Sequence, residues 1–254
     1  MKQKSFWTTA AVVTVAVFAL HSEAATAQNH DFGIWTSVGV EKKFNKKWSL
    51  TGEGEHRTRN NSATIDRWSI GLDAAYRPTR WLKLDAGYGL LYDNNIEKIT
   101  YNPDGNFNNW RPSYWGLRHR ASFSATASID VAQFTFSIRE RWQYTHRPEK
   151  TTTRYDFDNA QWEPTTVRSK SKSVLRSRLQ VEYNIPKCKI DPYASVEIYN
   201  DLSLQKTRFT VGADWKIKKR HVVGLYYRYQ DVKSDDIDNE PSLHILGVNY
   251  KLKL

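Results

Sequence analysis

One cysteine, Cys188, is the whole thiol content of the chain, so no internal disulfide can form. Beyond its first segment the chain has no apolar run approaching the roughly 20 residues a membrane helix needs. Phosphate-loop and zinc motifs are missing, and the seven histidines fall into no ligand pattern, so neither metal nor cofactor is expected. Acidic residues are the scarcer charge, 27 Asp and Glu against 38 Lys and Arg, for a formal net charge of +11. An excess of that sign points to anionic partners.

The first segment reads as a secretory signal. Lys2 and Lys4 give a basic start, Phe6 to Leu20 an apolar core, and Ala25-Thr26-Ala27 a small-residue cleavage site. Cleavage is expected before Gln28, where no cysteine stands to take a lipid anchor. The expected organisation is a signal peptide over 1–27 and one domain over 28–254. An exported chain rarely meets nucleic acid, so small anions, acidic oligosaccharides and lipopolysaccharide phosphates are the expected partners. In an oxidising compartment Cys188 must be buried, free or intermolecular, and nothing around it indicates catalysis.

Aromatic residues make up 13% of a chain whose mean hydropathy is only −0.69. That average suits a soluble protein, but a membrane barrel hides from averaging, because half of each strand faces lipid and half faces water. Tyr114 to Tyr144 shows the pattern best. Trp115, Leu117, Phe123, Ala125 and Ala127 take one parity, and Arg118, Arg120, Ser122, Ser124 and Thr126 the other. Phe134, Phe136, Ile138, Trp142 and Tyr144 then alternate with Gln133, Thr135, Ser137, Arg139 and Arg141. A period of two over this length means β-strand. A two-residue turn at Ile129-Asp130 would set Arg118 opposite Arg141 and Arg120 opposite Arg139. Four guanidinium groups would then share one patch, although like charges directly opposite are destabilising.

The same alternation recurs along the chain. Phe32 to Phe44 turns at Asn45-Lys46-Lys47 into Trp48 to Arg59, and Ile65 to Arg77 turns at Pro78-Thr79-Arg80 into Trp81 to Asp93. Ser173 to Ile185 turns at Pro186-Lys187-Cys188-Lys189 into Ile190 to Asn200. Gln205 to Ile217 turns at Lys218-Lys219 into His221 to Val232, and Ser242 to Leu254 is the last strand, alternating as an outer-membrane assembly signal does. Between these runs, Asn94 to Pro112, Thr145 to Lys170 and Lys233 to Pro241 read as long polar loops.

Tight turns alternating with long loops predict an all-β fold: an antiparallel transmembrane β-barrel of the outer membrane, with short periplasmic turns and longer extracellular loops. Eleven strands can be counted, whereas single-chain bacterial barrels normally have an even number. The expectation is therefore 10–12 strands, with Phe32 to Phe44 a candidate to run inside the barrel instead of in its wall. A soluble β-sandwich also alternates. Against it stand the strand lengths and a girdle of aromatics near strand ends: Trp35, Trp48, Trp68, Tyr76, Trp81, Tyr92, Trp115, Trp142 and Trp215.

Parity assigns Arg57, Arg59, Arg67, Arg118, Arg120, Arg139, Arg141, Arg176, Arg178, Arg208 and Arg228 to the lumen, all in the outer half. The lumenal acids are Glu53, Glu55, Asp73, Asp85, Glu182, Glu197 and Asp214, at or beneath that belt. A guanidinium fork fits carboxylate or phosphate, so the belt suits a passive channel or binding site for anions or acidic oligosaccharides. The competing reading is a non-conducting barrel closed by ion pairs such as Arg178 with Glu197, because small barrels can be filled by side chains. A lipid-modifying enzyme would need a lipid-facing Ser and His in reach. His56, His119, Ser173 and Ser177 have outward parity but no local motif joining them, so no catalytic residue is assigned. The loop acids Asp104, Asp156, Asp158, Asp235, Asp236, Asp238 and Glu240 lack the spacing of a calcium loop.

At Trp35-Thr36-Ser37, and at Asn45-Lys46-Lys47-Trp48-Ser49-Leu50 leading to Glu53-x-Glu55-x-Arg57, the chain resembles a family of outer-membrane barrels described only as a domain of unknown function. Tyr76-Arg77-Pro78, Arg118-His119-Arg120 and Arg139-x-Arg141 extend the resemblance over nearly all of 28–254. It implies a barrel in the outer membrane of a Gram-negative bacterium and supplies no activity. In composition and strand number the chain is also similar to small porins for acidic oligosaccharides, a likeness that transfers no residue.

Overall fold

The computed structural model describes residues 31–218, 220–233 and 241–254. The expected signal segment and the acids Asp235, Asp236, Asp238 and Glu240 lie outside these residues. Asp31–Leu254 forms one compact unit. Its strands are β1 (Asp31–Lys43), β2 (Trp48–Arg59), β3 (Thr64–Tyr76), β4 (Leu82–Asn95), β5 (Lys98–Tyr101), β6 (Phe107–Arg111), β7 (Tyr114–Val131) and β8 (Phe134–Arg147). They continue with β9 (Lys150–Asp156), β10 (Gln161–Val167), β11 (Lys170–Tyr183), β12 (Ile190–Asp201), β13 (Ser203–Ile217), β14 (His221–Val232) and β15 (Leu243–Lys253).

Eleven of these strands close into a barrel in the order β1, β15, β14, β13, β12, β11, β8, β7, β4, β3, β2. The protein is therefore an all-β closed barrel with an odd strand count among the described residues. An odd number of up-and-down strands can close only if one seam is parallel. That seam is β1 with β15, in register from Asp31↔Leu243 to Glu41↔Lys253. Strand β1 also pairs antiparallel with β2, so Phe32 to Phe44 runs in the wall and not inside the barrel.

The alternation seen in the sequence becomes sidedness. Ile70, Leu72, Leu117, Phe123, Ile138, Trp142, Leu179, Phe209 and Leu225 are all exposed on the outer face, which the hydrocarbon of a bilayer would cover. Rings pair across strands at both rims of that face: Trp48 with Tyr76 (centroids 4.6 Å) and Phe134 with Tyr183 (4.9 Å) on the short-turn side, and Tyr92 with Trp115 (4.9 Å) on the other. Trp35 is not part of this girdle. Its parity is that of Ser37 and Gly39, and it is buried inside the barrel at 2% exposure. It packs there with Tyr226, Leu243 and Ile245, the last with no exposed surface, and with Tyr193 against them. The Tyr226 ring lies flat over Gly247, its partner across the β14–β15 seam, where any Cβ would fall within the ring.

The central hairpin turns at Ala132-Gln133, with Ala132 at φ 54°, and not at Ile129-Asp130. Arg139 therefore lies opposite Thr126, Arg141 opposite Ser124, and Arg120 opposite Thr145; Arg118 lies opposite Leu91 on β4. The expected Arg118–Arg141 and Arg120–Arg139 pairs do not form. The two registers differ by an even number of residues, so every side chain keeps its face and alternation alone cannot tell them apart.

Two of the stretches read as loops are strands. Between β4 and β7 the hairpin β5–β6, and between β8 and β11 the hairpin β9–β10, join through Asn109↔Asp156 and Trp110↔Tyr155. The result is a second, four-stranded sheet in the order β10, β9, β6, β5, standing on the loop end of the barrel. At that same end the turn between β12 and β13 is tight, with Leu202 at φ 59°.

Candidate functional site

Cross-strand register decides which interior side chains meet, because directly paired residues share a face. One interior row runs Thr126, Arg139, Arg178, Glu197, Arg208, Gln230 across β7, β8, β11, β12, β13 and β14. The next row toward the loop end runs Ser124, Arg141, Arg176, Tyr199, Lys206. The direct like-charge pairs are therefore Arg139 with Arg178 and Arg141 with Arg176, on the β8–β11 seam and not within the β7–β8 hairpin. Together the two rows carry six cations and one acid, Glu197.

Glu197 is buried at 7% exposure and accepts from Arg139 and from Arg176 Nη2 at 3.0 Å. The Tyr199 hydroxyl donates to the same carboxylate at 3.1 Å. Arg178, although opposite Glu197 in register, is not bonded to it, so the pair expected from the sequence goes to other arginines. The Tyr199 ring is capped by cations: the Arg176 guanidinium at 4.5 Å, Lys206 Nζ at 4.4 Å and the Arg208 guanidinium at 4.9 Å. Arg208 also donates Nε–H to Gln230 at 2.7 Å. Arg141 and Arg178 have no hydrogen-bond or ion-pair partner among the described residues, and the Nε of each is shielded from solvent.

The remaining arginines are held individually. Arg67 and Arg118 both reach Asp93, Arg118 Nε at 3.0 Å, and Arg118 also donates to Asn95 at 2.8 Å. Arg57 pairs with Glu55 at 2.6 Å and Arg59 with Asp66 at 2.6 Å. Arg120 donates to Thr145 at 3.2 Å and Arg228 to Thr210 at 2.9 Å. Arg57, Arg208 and Arg228, from three different strands, converge on the Trp35 ring at 3.8, 5.1 and 5.4 Å. That convergence places all three inside the closed barrel.

Sequence reasoning missed Lys206, Asp93 and Tyr199. Asp93 shares its parity with Asp85 and lies opposite Arg67, a signal available once the β3–β4 turn is fixed. Of the expected lumenal acids, Glu55 and Glu197 sit within the arginine belt. Glu182 lies toward the short turns, 3.9 Å from Lys216, which also bonds Asp191. Glu53, Asp73, Asp85 and Asp214 likewise stand on the short-turn half of their strands.

Around the loop-end mouth the basic character continues. Arg147 pairs with Lys170 at the top of the β8–β11 seam, and the Arg111 guanidinium lies 5.1 Å over the inward Tyr114 ring. Of the loop acids, Asp104 and Asp156 close tight turns by accepting from Asn106 and Asn159. Those bonds hold the carboxyl groups below the usual carboxylate range: for Asp104 chiefly the Asn106 backbone N–H, for Asp156 chiefly the Asn159 side chain. No cluster of three potential metal ligands occurs among the described residues. Cys188 is exposed and free in the β11–β12 turn.

On the outer face, His56 packs tilted against Trp68 at 4.2 Å, His119 Nδ1 shares a hydrogen bond with Tyr88 at 2.6 Å, and Ser177 donates to Glu140 at 2.6 Å. The Ser/His contact on this face is a different one, Ser171 Oγ with His146 Nδ1 at 2.8 Å. No described carboxylate orients the other imidazole nitrogen, and the Tyr144 hydroxyl donates to the same serine at 2.9 Å. A nucleophile needs its base oriented and its oxygen free to attack, so the pair reads as interfacial hydrogen bonding.

The fold has known counterparts. The translocator domain of the autotransporter NalP from Neisseria meningitidis superposes with a TM-score of 0.50 at 13% identity, over 90% of this chain and 92% of that one. The NanC porin (TM-score 0.43, 13% identity, 85% and 93% covered) and the β domain of the Bordetella autotransporter BrkA (0.46, 15%, 73% and 77%) are also similar. None of the curated proteins compared with the chain matches it. The likeness to NalP shows a closed β-barrel fold. A family model described as protein of unknown function DUF2490 matches residues 32–240, and the chain belongs to that family.

Proposed function

We propose that this barrel, exported by a cleaved signal segment to the outer membrane of a Gram-negative bacterium, is a non-enzymatic passage and binding site for small anions or acidic oligosaccharides. The observation that carries this reading is the pair of interior rows with six cations and one acid, in which Arg141 and Arg178 have no hydrogen-bond or ion-pair partner among the described residues. Guanidinium groups stripped of water and partner cost several kcal/mol each, so the cluster needs an anion or water against it. The basic mouth formed by Arg111, Arg147 and Lys170 would concentrate anions above the cluster.

A second reading has its own observation. The Trp35, Tyr226, Leu243, Ile245 cluster and the fully buried Arg67, Arg118 and Gln230 all occupy the interior. In that reading the barrel does not conduct, and the arginine cluster is a closed anion-binding pocket. Reconstitution of the purified protein in planar bilayers separates the two. A passage predicts conductance with a reversal potential favouring anions, moved toward cations by Arg141→Gln with Arg178→Gln. Silence in every salt rejects passage, and cation selectivity rejects the role given to the arginines.

A further inference from the structure

The outer sheet has one aromatic face. Register aligns Ile99, Trp110, Tyr155 and Trp162 across β5, β6, β9 and β10, with Tyr101, Phe107 and Phe157 forming the adjoining row. Neighbouring rings touch at centroid distances of 5.1 to 5.6 Å, most of them tilted or edge-on, making one continuous aromatic plate. Tyr101, Phe107, Phe157 and Trp162 are exposed. An exposed aromatic patch of this extent on a folded protein marks an interaction surface.

The direction of that face follows from its reverse side. Arg111 projects oppositely to Trp110 and caps the inward-facing Tyr114, and Val167, on the reverse of β10, is buried. The reverse therefore continues the lumenal side of the wall, and the aromatic face continues the lipid-facing side. It stands beyond the Tyr92–Trp115 girdle, because both its hairpins are inserted at the loop ends of barrel strands. Outward of the barrel and past the hydrocarbon, the neighbour in the outer leaflet of such a membrane is the saccharide of lipopolysaccharide.

We propose that the aromatic face of the β5–β6–β9–β10 sheet stacks against the core oligosaccharide of lipopolysaccharide. The apolar face of a pyranose presents C–H bonds of partial positive charge, which match the negative face of an aromatic ring. The β5–β6 and β9–β10 hairpin turns supply hydrogen-bonding groups beside the rings. Asn102 reaches Asp158 at 3.2 Å, and the Asp104–Asn106 and Asp156–Asn159 turns flank them. Hydrocarbon would be a poor occupant, since these amides and carboxylates border the plate.

The test uses the full chain in detergent micelles and two probes: rough lipopolysaccharide with a complete core, and deep-rough lipopolysaccharide lacking the core sugars. Binding of the complete-core form is expected to be at least about tenfold tighter. Tyr101→Ala with Phe107→Ala and Trp162→Ala abolishes that preference while leaving deep-rough affinity unchanged. Trp162→Phe, which keeps a ring, retains it. Unchanged resistance of the Gly105 and Asn159 turns to proteolysis confirms that the sheet persists in the triple variant. Equal affinity of the wild type for both probes, or a triple variant that keeps the preference, would overturn the proposal.

Discussion

Replacing Glu197 by Gln removes the acid from the two cationic rows and leaves its volume in place. Each of its two arginine contacts, one of them at 3.0 Å, corresponds to about 5 kcal/mol of attraction at an effective dielectric near 20. Desolvation of the ions offsets most of this, and breaking a buried pair typically costs about 3–5 kcal/mol net. The amide still accepts one hydrogen bond, so a loss of about 2–4 kcal/mol is expected. Urea unfolding of the barrel refolded into lipid vesicles, followed by tryptophan fluorescence and by the heat-modifiable gel shift, reads that loss. Phosphate or sulfate should restore part of it, because an anion replaces the missing carboxylate, and chloride should restore less. Adding Arg139→Gln to the variant should recover stability by removing one unmatched cation, a coupling measurable as a double-mutant cycle. A loss below about 0.5 kcal/mol that no anion alters would mean the guanidinium groups are hydrated as in bulk water. The reasoning about the cluster would then be refuted.

Asp93→Asn removes the carboxylate that the buried Arg67 and Arg118 share. A loss of about 3–5 kcal/mol is expected in the same unfolding assay, and a loss under about 1 kcal/mol would contradict their burial. Exposed Cys188 lies in a short turn, so a membrane-impermeant maleimide should label it only in permeabilised cells; labelling of intact cells would reverse the orientation given to the barrel. The Asp104 and Asp156 carboxyls are held below their ordinary values, so their turns have full support above the unfolded carboxylate pKa of about 4 and lose it as pH falls through the lower folded values. Amide exchange protection at Asn106 and Asn159 should fall together over that acidic window, and protection independent of pH would count against the capping bonds. Gly247→Ala should destabilise the β14–β15 seam by at least about 1 kcal/mol, since the new methyl displaces the Tyr226 ring, and an unchanged unfolding midpoint would disprove that contact.

Strand identity and sidedness were legible in the sequence because both are local. A residue and its second neighbour share a face whatever the rest of the chain does, so Arg139, Arg141, Arg176 and Arg178 could be assigned to the interior and Ile138, Trp142 and Leu179 to the outside from spacing alone. Trp35 was misplaced because its position near a strand end outweighed its parity. The hairpins β5–β6 and β9–β10 look like loops in the sequence because their strands are short and rich in Asn, Asp and Thr, with stability that comes from each other through Trp110 and Tyr155. Register, closure and charge partners were settled only by the folded wall. Shifts by even numbers of residues leave the alternation intact, so tertiary packing set the turn at Ala132, opposed Arg141 to Arg176, and gave Glu197 to Arg139 and Arg176. An odd count of strands left one seam no antiparallel option, and β1 therefore lies parallel to β15 across the full length of the chain. The sequence by itself determined which residues face inward; three-dimensional closure decided which of them meet, because those partners lie far apart along the chain.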